Sequence, residues 1–254
     1  MGFLHEGHRS LIQRSKKTAD ITIVSIFVNP TQFMPGEDLE KYPRDFEHDK
    51  SILKKDDVDY LFFPDASEIY LNGFQTFVDV ESLSSRLEGM FRPNHFKGVS
   101  TIVAILFNCI SPDYVFFGQK DAQQVAVIKR MVKDLKYNLK IIVCPIIREK
   151  DGLAMSSRNT YLSPGEREDA LILSSSLKLA EKLVKKGERM PDIITSEIIN
   201  QINSINSSKI DYVEIVDAEN FLVPDVIEKE KKYYVLIACR IGTTRLIDNA
   251  LLTV

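Results

Sequence analysis

The chain has 254 residues, 44% apolar and 27% charged, an ordinary globular composition that excludes collagen-like, disordered and disulfide-framework classes. At about 150 residues per domain, this length makes one large or two modest domains with ample core. A net charge of -3 argues against non-specific nucleic-acid binding, which needs a marked basic excess, and leaves room only for a local basic pocket.

Taken in chain order, His5-Glu6-Gly7-His8 precedes an amphipathic helix carrying Leu11 and Ile12. Ile21–Val28 reads as a buried strand that ends in a turn at Asn29-Pro30. Tyr60–Phe63, Tyr114–Phe117 and Lys140–Cys144 are similar short runs, each bounded by Asp, Pro or Gly. Val99–Ile110 reads as a buried helix; Ser100, Thr101 and Asn108 interrupt it, and it is too short to span about 30 Å of hydrocarbon, so no membrane partner is expected. Val125, Ile128, Val132 and Leu135 line one face of a helix opened by Asp121. This alternation through residue 147 is the pattern of a parallel sheet flanked by helices.

After Arg148 the character changes. Ser163-Pro164-Gly165-Glu166 is a capping-box signature, so a long amphipathic helix is expected to run to Lys186. A second helix at Asp192–Asn203 gives way to strand-like runs at Tyr212–Val216, Tyr233–Ala238 and Thr243–Ile247. The expected organisation is therefore a first domain over 1–147 and a small α+β domain over 148–254. Cys109, Cys144 and Cys239 are odd in number, widely separated and without metal-ligand spacing, so a reduced, cytoplasmic setting is expected and no zinc site is legible. No targeting signal is expected at the start, where Glu6 stands in place of the Ser or Thr of a myristoylation motif.

Four segments could carry chemistry. His5 and His8 fall at the mouth of a helix, where unpaired amides favour phosphate; the same spacing also suits a helix cap or a partial metal site. Gln32 follows the end of a strand, where ligands bind in open α/β sheets, and its amide suits hydroxyl and carboxylate groups; it could equally be a solvent-facing turn residue. In Gly118-Gln119-Lys120-Asp121, Lys120 can neutralise phosphate and Asp121 can accept from ribose, or Asp121 is only an N-cap and Lys120 a solvated charge, with Gln124 one helical turn on. Met155-Ser156-Ser157-Arg158 is either a plain connector or a loop able to close over a polyphosphate. No Walker loop, dinucleotide fingerprint or nucleophile elbow is found, which disfavours P-loop NTPases, dinucleotide oxidoreductases and serine hydrolases.

Together, Met1–His8, Ser25–Phe33, Glu37–Arg44, His95–Val99, Gly118–Gln124 and Arg148–Asn159 resemble the pantoate-beta-alanine ligase family of the nucleotidylyltransferase superfamily in order and spacing. The resemblance implies ATP-dependent condensation of pantoate with beta-alanine through a pantoyl adenylate, with ATP as co-substrate accompanied by Mg2+. It places ATP on Met1, Gly2, Phe3, Leu4, His5, Glu6, Gly7 and His8, on Gly118, Gln119, Lys120 and Asp121, on the backbone of Ile147, and on Met155, Ser156, Ser157 and Arg158. The implied catalytic groups are His8, His5, Lys120 and Arg158. Gln32 and Gln124 match the pantoate ligands, Phe33–Tyr42 matches a mobile flap, and a homodimer is implied.

The implied fold is a Rossmann-like doubly wound parallel sheet with a smaller C-terminal domain acting as a lid. Family members carry a further segment before the position of Met1, including a first strand, so the sheet is expected to lack that strand. A catalytically impaired nucleotide-binding homologue and an adenylyltransferase of another acceptor are the competing readings. His48 stands beside Asp49 where some relatives carry paired acids, and no protein metal ligand is assigned.

Overall fold

The computed structural model describes residues 2–253. It divides into two compact units: residues up to Gln119 together with Gln123–Pro145, and Lys120–Ala122 together with the chain from Ile146 onward.

The first unit opens with α1 (Glu6–Lys16), followed by β1 (Ile23–Ser25), α2 (Phe46–Lys55) and β2 (Tyr60–Phe62). Three single-turn helices, α3 (Ala66–Ile69), α4 (Glu81–Ser84) and α5 (Glu88–Phe91), lead into α6 (His95–Ile110). Then come β3 (Tyr114–Gly118), α7 (Ala122–Asp134) and β4 (Lys140–Cys144). The strands pair as two parallel couples, β1 with β2 and β3 with β4, in registers that join Ile23 to Tyr60 and Tyr114 to Lys140. The expected strand at Ile21–Val28 is paired only over Ile23–Ser25, because its partner β2 is three residues long; one further bond, from the Ile26 amide to the Phe62 carbonyl, ends the ladder.

Two apolar clusters hold this unit. Leu4, Ile12, Ile26 and Leu53 tie α1, β1 and α2 together beneath the histidine segment. Val99, Ile102, Val103, Ala104 and Phe107 of α6 pack with Ile128 and Met131 of α7. The helix read from Val99 begins earlier, at His95, and its first turn meets the turn at Pro30–Gln32 at very close range. A Cβ on Gly98 would lie 2.5 Å from the Thr31 carbonyl oxygen, so only glycine allows the approach. Asn29 seals the junction, its Nδ2 donating to the Gly98 carbonyl at 3.0 Å.

The second unit contains α8 (Pro164–Lys185), α9 (Pro191–Asn203) and an antiparallel sheet of β5 (Ser208–Asp217), β6 (Lys232–Ile241) and β7 (Thr244–Thr253), in the order β5-β6-β7. The capping box forms as expected: Ser163 accepts from the Glu166 amide, and Glu166 accepts from the Ser163 amide at 2.8 Å. Leu173 and Leu177 of α8 and Ile194, Ile198 and Ile202 of α9 bury against Ile215, Val235, Ile237 and Leu252 of the sheet. No helix among the described residues is long and apolar enough to cross a membrane.

Gly98→Ala is expected to push α6 off the Gln32 turn and destabilise the protein by about 1–3 kcal/mol, the scale of core overpacking. A lowered urea midpoint with an unchanged denaturant slope would register it; an unaltered midpoint would show that the junction yields without strain.

Candidate active site

The histidine segment is built on two residues in the left-handed region, Gly2 at φ 105° and Phe3 at φ 54°. A carboxylate makes this backbone tenable: buried Asp49 of α2 accepts from the Phe3 amide at 2.8 Å and from the Leu4 amide at 2.6 Å. Chain direction into α1 is thus fixed from 45 residues away in sequence. Met1 lies outside the described residues.

His5 is the N-cap of α1, and its Nδ1 accepts from the Gly7 amide at 3.1 Å. His8 completes a capping box, its Nδ1 accepting from the His5 amide at 3.3 Å. A ring nitrogen that accepts carries no proton, so each neutral imidazole carries its proton on Nε2, directed away from the cap. The two rings lie 4.0 Å apart, centroid to centroid. Cap and phosphate ligand are compatible roles for one ring, since Nδ1 satisfies the helix and the bond to it leaves the proton on Nε2. Glu6 is exposed and paired with Arg9, which also grips Asp56 through two bonds.

Gln32 is buried, in contrast to the alternative of a solvent-facing turn residue. Its carbonyl is held by a charged cluster that the sequence reading did not assign. Arg92 binds both carboxylate oxygens of Glu37, at 2.8 and 2.9 Å, and reaches Glu88 at 3.4 Å and the Gln32 carbonyl at 3.4 Å. The His95 Nδ1 lies 2.8 Å from the same carbonyl, which can only accept, so Nδ1 carries the proton. Nε2 is then the acceptor for Arg92 at 3.3 Å. Burial alone would raise the Glu37 pKa, but the hydrogen bonds and charge of Arg92 hold it below the usual carboxylate range. Burial, and then the Arg92 charge, push His95 from 6.5 down to about 4.

On α7, Gln123 uses its amide structurally, accepting from the Glu88 amide at 3.0 Å and donating to Leu83 and Arg86 carbonyls. Gln124, the next residue, is half-buried. Gly118 ends β3, and Gln119–Asp121 form a 3-10 turn directly before α7.

In the second unit the Ile147 carbonyl accepts from the Met155 amide at 3.0 Å, closing a hairpin whose arms bridge at Arg148 and Ala154. Ser156 caps the short helix Ser157–Tyr161 by accepting from the Arg158 amide at 3.3 Å. Ser157 is buried and Arg158 half-exposed. Asn159 pins this helix to the hairpin, donating to Glu149 at 2.9 Å and to the Ala154 carbonyl at 3.1 Å. Of the residues expected at the site, His5, His8, Gln32 and Gln124 belong to the first unit, and Lys120, Asp121, Ile147 and Met155–Arg158 to the second.

This inventory supplies imidazole and guanidinium donors, an ammonium and paired amides, with no nucleophile poised against a base. Comparison with known proteins decides its class. A family profile described as pantoate-beta-alanine ligase matches residues 1–251. The chain belongs to the pantoate-beta-alanine ligase family. It is accordingly a ligase. The pantothenate synthetase of Acetivibrio thermocellus is 52% identical over 254 residues, covering 100% of this chain and 90% of that protein. That of a Sulfurihydrogenibium species is 55% identical over 251 residues, covering 98% and 89%. Among solved structures, pantothenate synthetase from Thermus thermophilus superposes with a TM-score of 0.94 at 39% identity, covering 98% of this chain and 90% of that one. The Francisella tularensis pantoate-beta-alanine ligase, solved with beta-gamma ATP and beta-alanine, gives a TM-score of 0.79 at 36% identity, covering 99% and 87%. The α/β architecture with parallel strands and a C-terminal antiparallel sheet is that of these ligases.

His95 gives this ligase a pH signature. Because its folded pKa lies below the unfolded value, the unfolded chain takes up a proton that the folded state refuses, and stability falls as pH drops from 6.5 to about 4. His95→Gln is expected to flatten the pH dependence of the urea-unfolding free energy across that window by roughly 1–3 kcal/mol. Equal slopes in the two proteins would refute the assignment.

Proposed function

We propose that this ligase joins pantoate to beta-alanine, using ATP and releasing AMP and pyrophosphate through a pantoyl adenylate. The observation that carries the reading is the pair of imidazoles at the mouth of α1, each bonded through Nδ1 to an amide of the helix's first turn. A pantoate carboxylate is already ionised at neutral pH, so its attack on the α-phosphorus needs positioning and charge stabilisation more than a general base. As the new O–P bond forms and pyrophosphate leaves, His8, His5, Lys120 and Arg158 stabilise the growing negative charge at the phosphate oxygens. In the second half, the free amine of beta-alanine attacks the acyl carbon, and AMP departs with the pair of electrons of the C–O bond.

In this reading ATP spans Gly2–His8, Gly118–Asp121, the backbone of Ile147 and Met155–Arg158, and Gln32 and Gln124 hold pantoate. Gln32 suits this role because Arg92 and His95 fix its main chain. Asp49 accepts from the Phe3 and Leu4 amides and no protein ligand is assigned to Mg2+, which would accompany ATP and supply neutralisation of its phosphate charge. By chain order residues 1–147 form the ATP- and pantoate-binding domain and 148–254 the lid, although Lys120–Ala122 and Ile146 group with the second unit. The finer fold, a Rossmann-like doubly wound sheet, is supported by the parallel sense of both strand couples. A cytoplasmic homodimer completes the proposal.

Pyrophosphate release that requires ATP, Mg2+ and pantoate together tests the reading, and no release from folded protein would reject it. His8→Ala is expected to slow that release about 100- to 1,000-fold, as removal of one oxyanion donor does. Gln124→Ala is expected to raise the pantoate KM about tenfold, the scale of one lost hydrogen bond, and to leave the KM for ATP in place; an unchanged pantoate response would remove Gln124 from the site.

A further inference from the structure

We infer that Asn249 is a positioning residue for Lys120, and that the Arg148–Asp248–Asn249 cluster makes Lys120 and the Met155–Arg158 segment parts of a single body. The inference rests on the reading of Lys120 and Arg158 as phosphate ligands.

Lys120–Ala122 are flanked on both sides by segments of the first unit, yet they cluster with the second. One bond ties this segment to the second unit: Asn249 of β7 donates from Nδ2 to the Lys120 carbonyl at 3.0 Å. Side chains alternate along a strand, so Leu246, Asp248, Ala250 and Leu252 share one face of β7, and Ile247, Asn249 and Leu251 the other. On that second face Ile247 and Leu251 are half-buried, whereas Asn249 is 2% exposed. An amide buried at that position is stable only when it is bonded, and the Lys120 carbonyl is one partner. Holding this carbonyl fixes the backbone from which the ammonium group reaches out.

The next residue along β7 extends the linkage. Asp248 lies on the apolar face, where a lone carboxylate would be untenable, and Arg148 pairs with it through two bonds, at 2.6 and 3.0 Å. Its Oδ1 also accepts from the Asn249 amide at 2.8 Å. Arg148 donates in turn to the Gly152 carbonyl at 3.1 Å, closing the hairpin on which Asn159 fastens the helix that bears Arg158. An unbroken chain of hydrogen bonds thus runs from the Lys120 carbonyl through β7 to the Arg158 segment. Two cations required at one triphosphate are by this means kept in mutual register.

A double-mutant cycle on the full-length protein tests the inference, with pyrophosphate release from ATP and pantoate as the readout. Asn249→Ala is expected to lower kcat about ten- to a hundredfold, as a displaced catalytic group does, with the pantoate KM nearly unchanged. In a Lys120→Ala background the same substitution is expected to remove less than about a further twofold. Asn249→Asp, isosteric but with an acceptor in place of the donor, provides a second variant and is expected to reproduce the loss. Thermal melting of each protein separates misfolding from misplacement. Equal losses with and without Lys120, or full kcat in both Asn249 variants, would overturn the inference and leave the assigned reaction standing. An unchanged kcat in Lys120→Ala alone would instead overturn the assignment of Lys120 as a ligand, and the inference with it.

Discussion

The amides at the mouth of α1 cannot be left unsatisfied, and the way they are satisfied sets the chemistry of the site. Asp49 takes the amides of Phe3 and Leu4, and the two imidazoles take those of His5 and Gly7. Each ring meets the backbone through Nδ1 and directs Nε2–H away from the cap. Had Ser or Asp capped this helix, the dipole would be satisfied equally well, but the capping side chain would bring no second donor to meet a phosphate. In the proposed reading the site grows out of a helix-capping requirement, with the imidazole's two nitrogens dividing the structural and chemical work.

Around this turn, the molecule uses buried polar groups to hold main-chain positions. The Gln32 carbonyl is gripped by Arg92 and His95, the Gly98 carbonyl by Asn29, and the Lys120 carbonyl by Asn249. Each anchor acts on the backbone of, or next to, a residue expected to touch substrate, and leaves the working side chain uncommitted by that bond. A reaction that proceeds by positioning and charge stabilisation gains most from such anchors, because misplacement by about 1 Å costs about a hundredfold. The anchors are also hard to break: a charge left unpaired in the Arg92 or Arg148 cluster would be buried without compensation.

Lys120 shows how chain order and mechanical allegiance can differ. By sequence it belongs between β3 and α7, both elements of the first unit, but its turn is held by β7 of the second. Lys120 and Arg158 are thereby grouped on one unit, and His5, His8, Gln32 and Gln124 on the other.

Much was legible in the sequence by itself. The Ser163 capping box, the helical period of Val125–Leu135 and the strand runs of the C-terminal half all became elements at or near their expected places, because caps and periodicity act within a few residues. The six blocks from Met1 to Asn159 were sufficient to point to the ligase family. Tertiary structure alone decided that β1 pairs over three residues, that the parallel strands form two couples, and that Arg92, Asp49 and Asn249 hold the active segments. The side-chain bonds of Asp49, Arg92 and Asn249 to those segments join residues 45 to 129 positions apart. No local pattern encodes such a pairing: an Asp-Asn in an apolar strand, or an Arg between a single-turn helix and α6, signals only that a partner must exist, and folding determines which carbonyl or amide that partner is.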